Sequence, residues 1–279
     1  MAADPLNQLD LSELPDYDAD AEYRALLRAL RRQQDFGIIF VRCSPDRGNK
    51  LIGELQKDLP QKHCETLTLT EALPDGDFFE QATAALSERP ADVLFVQGLE
   101  HSLFEYEAFK REIGWSEAET LGYSWKDVAP VLRNLNQQRD QFRNRLSTCF
   151  VFLVPPFLVK YLIRRAPDFF DWRSGVFEFK DARESIDKAI QDCFLEDFEQ
   201  VREIPRNEQV RQAIRIKELL EEEEAALSPD KQFRLLIDLG ILQAVNDAYK
   251  DGQTSWDKAL EIDVSTAENL DLKGQLLAS

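Results

Sequence analysis

The chain of 279 residues carries a formal net charge of −18 at pH 7, and 43% of its residues are hydrophobic. This apolar content is enough for one large hydrophobic core or two modest ones. It therefore indicates a folded globular protein and not a disordered chain. The acidic charge disfavours contact with nucleic acids and anionic lipid surfaces, because both need clustered Lys and Arg, and we expect no nucleic-acid partner.

The amino-terminal stretch, residues 1–20, is acidic, contains two prolines and shows no sustained periodicity. This composition predicts a flexible arm. It lacks the basic start and apolar run of a secretory leader, and the chain has no apolar run long enough to span a bilayer. We therefore expect a cytoplasmic protein with no direct membrane insertion.

An α/β domain is predicted over residues 21–182, which open with an amphipathic helical pattern at 21–34. Near-continuous apolar runs then alternate with helical patterns, which indicates a mostly parallel sheet covered on both faces in three layers. The predicted strands are "FGIIFVRC" (36–43), "CETLTLT" (64–70), "ADVLFVQG" (91–98), "TCFVFLVPP" (148–156) and "GVFEF" (175–179). The later helical patterns lie near 47–58, 77–88, 103–113, 125–146 and 156–165.

The segment "VRCSPDRGNKLIGEL" (41–55) occupies the place of a phosphate-binding loop, after a strand and before a helix. A working loop needs the pattern G-x-x-x-x-G-K-[ST], in which backbone amides surround the phosphates and the hydroxyl holds Mg²⁺. Here Asn49 separates Gly48 from Lys50, and Leu51 replaces the hydroxyl residue. Asp46 adds negative charge where a triphosphate would lie, so the match is weak.

The run "VLFVQGLEHS" (93–102) resembles the strand that ends in a Mg²⁺-binding Asp, but it ends in Gln and Gly, with Glu100 two residues beyond. Glu100 is a residue that polarises a water, a solvated loop carboxylate or an anion at a helix amino terminus. In "LNQQRDQF" (135–142), Arg139 is either a phosphate sensor or a partner in a structural ion pair. We expect no metal site, since His63 and His101 are the only histidines and neither has zinc-site spacing.

Residues 183–279 contain helical patterns only, and part of them has tetratricopeptide-like spacing. The positions that match the large, small and helix-packing residues of such a repeat are Leu236, Leu239, Gly240, Gly252, Trp256 and Ala259. Leu270 and Gly274 follow Leu236 and Gly240 by 34 residues, which is the period of the repeat. Gln243 and Val264 depart from the consensus, and an ordinary helical hairpin is the alternative. Since an independent stack needs three repeats, these helices must lean on the α/β part, on each other or on a second chain.

Three stretches resemble one family: "LNQQRDQF" (135–142), "FVFLVPPFLVKYL" (150–162) and "APDFFDWRSGVFEF" (166–179). They are similar to the amino-terminal region of bacterial, largely cyanobacterial, tetratricopeptide-repeat proteins with a STAND-type domain. The resemblance covers roughly residues 20–279. It implies a P-loop-NTPase-like fold with about five strands and a role in signalling or scaffolding.

Two functional hypotheses follow. The first is a non-catalytic interaction protein with no cofactor, in which a decayed NTPase-like domain joins repeat-like helices that bind another protein or a second copy. The positions expected to carry that interaction are Leu236, Leu239, Gly240, Trp256 and Ala259. The second is a nucleotide-responsive ATPase switch that binds ATP with Mg²⁺. It would use Gly48, Lys50, Glu100 and Arg139.

Overall fold

A computed structural model describes residues 18–103, 128–180 and most of 187–278, without 188–189, 192, 196–197, 223–226 and 247. A flexible arm is predicted over residues 1–20, and its positions 1–17 lie outside the described residues. A helical pattern is predicted near 103–113, and its positions after Leu103 also lie outside them. The strands are β1 Gly37–Arg42, β2 Cys64–Thr68, β3 Val93–Gln97, β4 Cys149–Val154 and β5 Gly175–Glu178.

The described helices of the α/β part surround these strands in sequence. They are α1 Ala19–Arg32, α2 Pro45–Asp58, α3 Phe78–Glu88, α4 Pro130–Arg145, α5 Pro156–Arg165 and α6 Pro167–Asp171, with a short 3₁₀ turn at Pro74–Gly76. The five predicted strands and the helices between them are confirmed wherever the structure describes the chain.

The five strands form one parallel sheet in the order β2-β3-β4-β1-β5. The three central strands are buried on both faces, as their continuous apolar sequences require. Along β4, Phe150 and Phe152 pack into one hydrophobic cluster with α3 to α6, while Val151 and Leu153 pack into a second cluster with α1 and α2. Helices therefore cover both faces, and the sheet is the middle layer of three.

The first helix begins earlier than the predicted boundary at 21 because Asp18 caps it. The Asp18 carboxylate accepts the backbone amides of Asp20 and Ala21, both at 3.0 Å. Farther along the helix, Glu22 accepts the backbone amide of Glu178 on the edge strand β5 at 3.0 Å. The helix thus covers part of a sheet edge that would otherwise expose unpaired backbone groups.

Helices follow the sheet in the carboxyl-terminal part. They are α7 Phe198–Glu203, α8 Arg206–Glu222, α9 Pro229–Val245, α10 Tyr249–Leu260 and α11 Ala267–Ala278. Helix α8 joins this part to the sheet, because Val210 and Ile214 lie in the same hydrophobic cluster as the sheet phenylalanines. Glu218 also accepts the backbone amide of Phe157 at 2.8 Å, at the start of α5, where no side chain of that helix caps the terminus. The helices therefore lean on the α/β part, as one of the three expected supports.

Helices α9 and α10 form a tight hairpin with glycines at the crossing. A Cβ atom on Gly240 would lie 2.1 Å from the indole nitrogen of Trp256, and one on Gly252 would lie 3.0 Å from the Gly240 carbonyl oxygen. The Trp256 indole donates to the Ile237 carbonyl at 3.2 Å. Gly240 therefore leaves the space that the Trp256 ring occupies, and Gly252 allows α10 to approach the α9 backbone closely.

The other repeat-like positions also serve packing. Leu236, Leu239 and Ala259 are buried in the clusters of this hairpin. One period later the environment is open, since Leu270 is 53% exposed and a Cβ atom on Gly274 would meet no atom within 4 Å. The 34-residue spacing thus continues in the sequence to Leu270 and Gly274, but the described residues do not pack closely around these two positions.

Candidate functional site

A cleft lies at the carboxyl ends of the strands and is the candidate functional site. In a parallel sheet these ends share one edge, and ligands of open α/β sheets bind there. The cavity measures about 510 Å³, and α8 forms its opposite wall. The side chains that line it include Arg42, Ser44, Leu69, Gln97, Glu100, His101, Leu153, Phe157, Glu178, Phe179, Lys180, Arg211, Ile214, Arg215, Glu218 and Leu219.

The turn between β1 and α2 does not form a phosphate-binding loop. Only Cys43 and Ser44 separate the two elements, because Pro45 takes the first position of the helix, where its missing amide is not needed. The Ser44 hydroxyl accepts the Arg47 amide at 3.2 Å, and the Ser44 carbonyl accepts the Gly48 amide at 2.9 Å. The amides that would surround a phosphate are thus used by the helix itself.

The structure places Gly48 and Lys50 inside α2, which begins two residues before the predicted start at 47. Gly48 is buried beside the end of β3, where a Cβ atom would lie 3.1 Å from the side-chain amide nitrogen of Gln97. Lys50 is exposed and does not line the cleft. Neither residue is positioned to contact a ligand in this cavity.

Glu100 lines the cleft and is 8% exposed, so it is not the solvated carboxylate that the sequence left open. Its Oε2 atom is buried and has no hydrogen-bond partner among the described residues. Burial raises the pKa of Glu100, while its own backbone amide and the charge of Arg211 act in the opposite direction. The cleft therefore contains a buried acceptor that the described protein atoms leave unused.

His101 and Arg211 close the cleft beside Glu100. The His101 Nδ1 atom lies 2.6 Å from the Arg211 Nη2 atom. Because a guanidinium group only donates, Nδ1 accepts this bond and the imidazole is neutral. Burial and then the Arg211 charge lower the pKa of His101, which agrees with a neutral ring. Sequence reasoning considered His101 only as a zinc ligand and missed its pairing with α8.

Gly98 sets the direction of the chain that carries Glu100. Its φ angle is +83°, and a Cβ atom there would lie 1.9 Å from the Leu69 carbonyl oxygen. Leu69 in turn donates its backbone amide to the Gln97 carbonyl at 2.9 Å, so the chains after β2 and β3 remain in contact beyond the strands. Only glycine fits this close approach with a positive φ angle.

Arg139 lies outside the cleft lining and forms a structural ion pair. Its Nη1 atom is 3.4 Å from the Asp168 carboxylate and donates to the Asn136 carbonyl at 2.9 Å. Its guanidinium group also lies 6.0 Å from the centre of the Trp172 ring. Of the four residues proposed for nucleotide binding, the structure thus brings only Glu100 to the cleft.

Two further features bear on the site. No group of three or more His, Cys, Asp or Glu side chains suited to a metal ion occurs in the described part of the chain. Across the same residues, none of the helices combines the length and apolar character needed to cross a bilayer.

The fold and the cleft define a three-layer α/β protein with a cavity at the strand ends and a helical extension that closes it. No family model matches the chain, and no curated protein matches it either. One solved structure that aligns with it is a DNA polymerase III gamma subunit-related protein from Thermotoga maritima. That pair has a TM-score of 0.34 and 10% identity over 92% of this chain and 98% of the other. The second is a DNA replication initiation factor, with a TM-score of 0.31 and 11% identity over 97% of this chain and 96% of the other. At these scores neither likeness carries an argument, and the functional reasoning rests on this chain's own residues.

Proposed function

We propose that this protein is a non-catalytic interaction or signalling scaffold, in which a STAND-type, NTPase-like α/β domain that binds no nucleotide supports tetratricopeptide-like helices. The observation that carries the proposal is the junction of β1 and α2. There the helix begins at Pro45 and takes Gly48 and Lys50 into its body. A triphosphate needs backbone amides that point into a loop, and this junction uses them in helical bonds.

The charges of the cleft support the same conclusion. Three carboxylates, those of Glu100, Glu178 and Glu218, line it together with four basic residues, which are Arg42, Lys180, Arg211 and Arg215. Arg42 lies 3.7 Å from Glu178, so part of the positive charge is already paired within the protein. A triphosphate would have to enter beside three carboxylates, and no Asp occurs among the described residues that line the cleft to hold its metal ion, which disfavours phosphoryl transfer.

The hairpin offers a surface for a protein partner. A groove of about 730 Å³ lies between α8, α9 and α10 and is lined in part by Leu236, Leu239 and Lys258. Asp251 also lines it, and the Asp251 Oδ2 atom is buried without a hydrogen-bond partner among the described residues. An unused acceptor in a groove of an acidic protein favours a partner that inserts a basic or hydrogen-bond-donating side chain. A second copy of this chain is one candidate for that partner.

The nucleotide part of the proposal is tested by thermal unfolding with ATP and Mg²⁺. We expect no rise in the unfolding midpoint at millimolar ATP, because the proposed domain binds no nucleotide. A ligand that binds only the folded state would raise the midpoint, since at 100 times its Kd it adds about 2.7 kcal/mol to the stability. The Lys50→Ala variant, which changes an exposed side chain, should behave in the same way. A rise in the wild type that Lys50→Ala abolishes would favour the ATP-dependent switch instead.

The interaction part is tested by photo-cross-linking in the source cells. A photoreactive amino acid at Lys258, which lines the groove, should capture one discrete polypeptide. The same amino acid at Lys57, an exposed residue of α2, is the matched control and should capture none of it. Asp251→Leu should lower the yield at position 258, and a product of twice the chain mass would identify a second copy. Equal capture at both positions, or none at position 258, would contradict the scaffold hypothesis.

A further inference from the structure

The walls of the cleft at the strand ends are largely apolar. The apolar side chains that line it are Leu69, Leu153, Phe157, Phe179, Ile214 and Leu219. They come from the ends of β2, β4 and β5, from the start of α5 and from α8, so the apolar surface is contributed from opposite sides. A cavity of about 510 Å³ with such walls has the size and character of sites that enclose small organic molecules.

The charged groups around the cleft are mostly engaged with one another or with the backbone. Arg42 lies near Glu178, Glu218 accepts the Phe157 amide, and Arg211 bonds to His101. The Oε2 atom of Glu100 is buried in the cleft, and the described residues offer it no donor. A buried acceptor without a donor costs free energy, and a ligand that supplies the donor recovers it.

The charged residues that line the cleft indicate which class of ligand it can bind. Arg211 is close enough to influence Glu100 electrostatically, which disfavours a cationic ligand group between them. Three carboxylates, those of Glu100, Glu178 and Glu218, line the cleft beside four basic residues, so an anion would meet repulsion as well as attraction; the basic residues are Arg42, Lys180, Arg211 and Arg215. An uncharged molecule avoids both penalties.

We propose that the cleft binds a small, uncharged, mostly apolar organic molecule that donates an N–H or O–H group to the Oε2 atom of Glu100. The apolar body of the ligand contacts Phe157, Phe179 and Ile214, and the donor gives it one fixed orientation. This site is separate from the groove of the hairpin, and the inference does not depend on the scaffold function.

The test uses three matched pairs of probes with the full chain, followed by saturation-transfer NMR. The pairs are benzamide and acetophenone, indole and benzofuran, and phenol and anisole, in which the first member has a donor and the second has none. In the wild type, we expect the donor-bearing member of at least one pair to bind about tenfold more tightly, as one hydrogen bond to a strongly polar group implies. Glu100→Leu should abolish this difference, while Glu88→Leu, at an exposed position of α3, should retain it.

Stability and competition distinguish loss of the acceptor from loss of the fold. Without probes, Glu100→Leu should unfold at a midpoint no lower than that of the wild type, because it removes a buried acceptor to which the described residues offer no donor. Glu100→Met repeats the comparison should the leucine variant not fold. The inference is overturned by absence of probe binding in the wild type, by a pair difference that survives in both Glu100 variants, or by displacement of the probes by ATP with Mg²⁺.

Discussion

Gly98→Ala is expected to lower the free energy of unfolding by about 3 kcal/mol or more. Among substitutions that add one methyl group at the cleft, it should destabilise the protein most. The new Cβ atom would lie 1.9 Å from the Leu69 carbonyl oxygen, which belongs to the backbone and has little room to move. The φ angle of +83° adds strain for any residue with a side chain. Urea unfolding and thermal unfolding both measure this effect.

Gly53→Ala provides the matched control for this substitution. Gly53 lies inside α2, and a Cβ atom there would meet no atom within 4 Å. Because alanine is the better helix former, we expect Gly53→Ala to stabilise the protein by about 0.5–1 kcal/mol. Equal effects of the two substitutions would show that the contact with Leu69 does not govern the turn before Glu100.

Gly240→Ala is expected to destabilise the helical hairpin by about 2–4 kcal/mol. The added Cβ atom would lie 2.1 Å from the Trp256 indole nitrogen, so the ring must leave its place and lose its bond to the Ile237 carbonyl. The loss should appear in thermal unfolding and as faster hydrogen exchange in α9 and α10. The double variant Gly240→Ala with Trp256→Ala should lose less free energy of unfolding than the sum of the two single variants, because the ring that the new methyl group would displace is then absent.

The corresponding control is Gly274→Ala, one repeat period later. Since a Cβ atom at Gly274 meets no atom within 4 Å, we expect no loss of stability and a gain of up to about 1 kcal/mol from helix propensity. Similar losses at both glycines would contradict the assignment of Gly240 to a helix crossing. They would also weaken the tetratricopeptide-like interpretation of the hairpin.

The sheet was predictable from the sequence because its strands are local patterns. Runs such as "CFVFLV" in β4 are apolar at every position, and only a strand buried on both faces has that composition. The helical patterns between the runs then required parallel neighbours on a covered sheet. The strand order β2-β3-β4-β1-β5 was not predicted, because pairing depends on contacts between distant segments.

The candidate site was predictable only in part. The sequence indicated that residues needed for a triphosphate are missing near Gly48 and that Glu100 follows a strand. It did not reveal that α2 begins at Pro45, since that boundary depends on how Ser44 caps the helix. Arg139 had two interpretations, and its partner Asp168 became known only when α4 and α6 were placed side by side.

The sequence by itself determined the class of elements, the buried strands and the loss of a standard phosphate loop, because each depends on residues close together in the chain. Tertiary structure alone decided the cleft. His101 and Arg211 are 110 positions apart, and Phe157 and Glu218 are 61 positions apart, so no local pattern links either pair. The burial of the Glu100 Oε2 atom, to which the described residues offer no donor, likewise arises only when the strand ends meet α8.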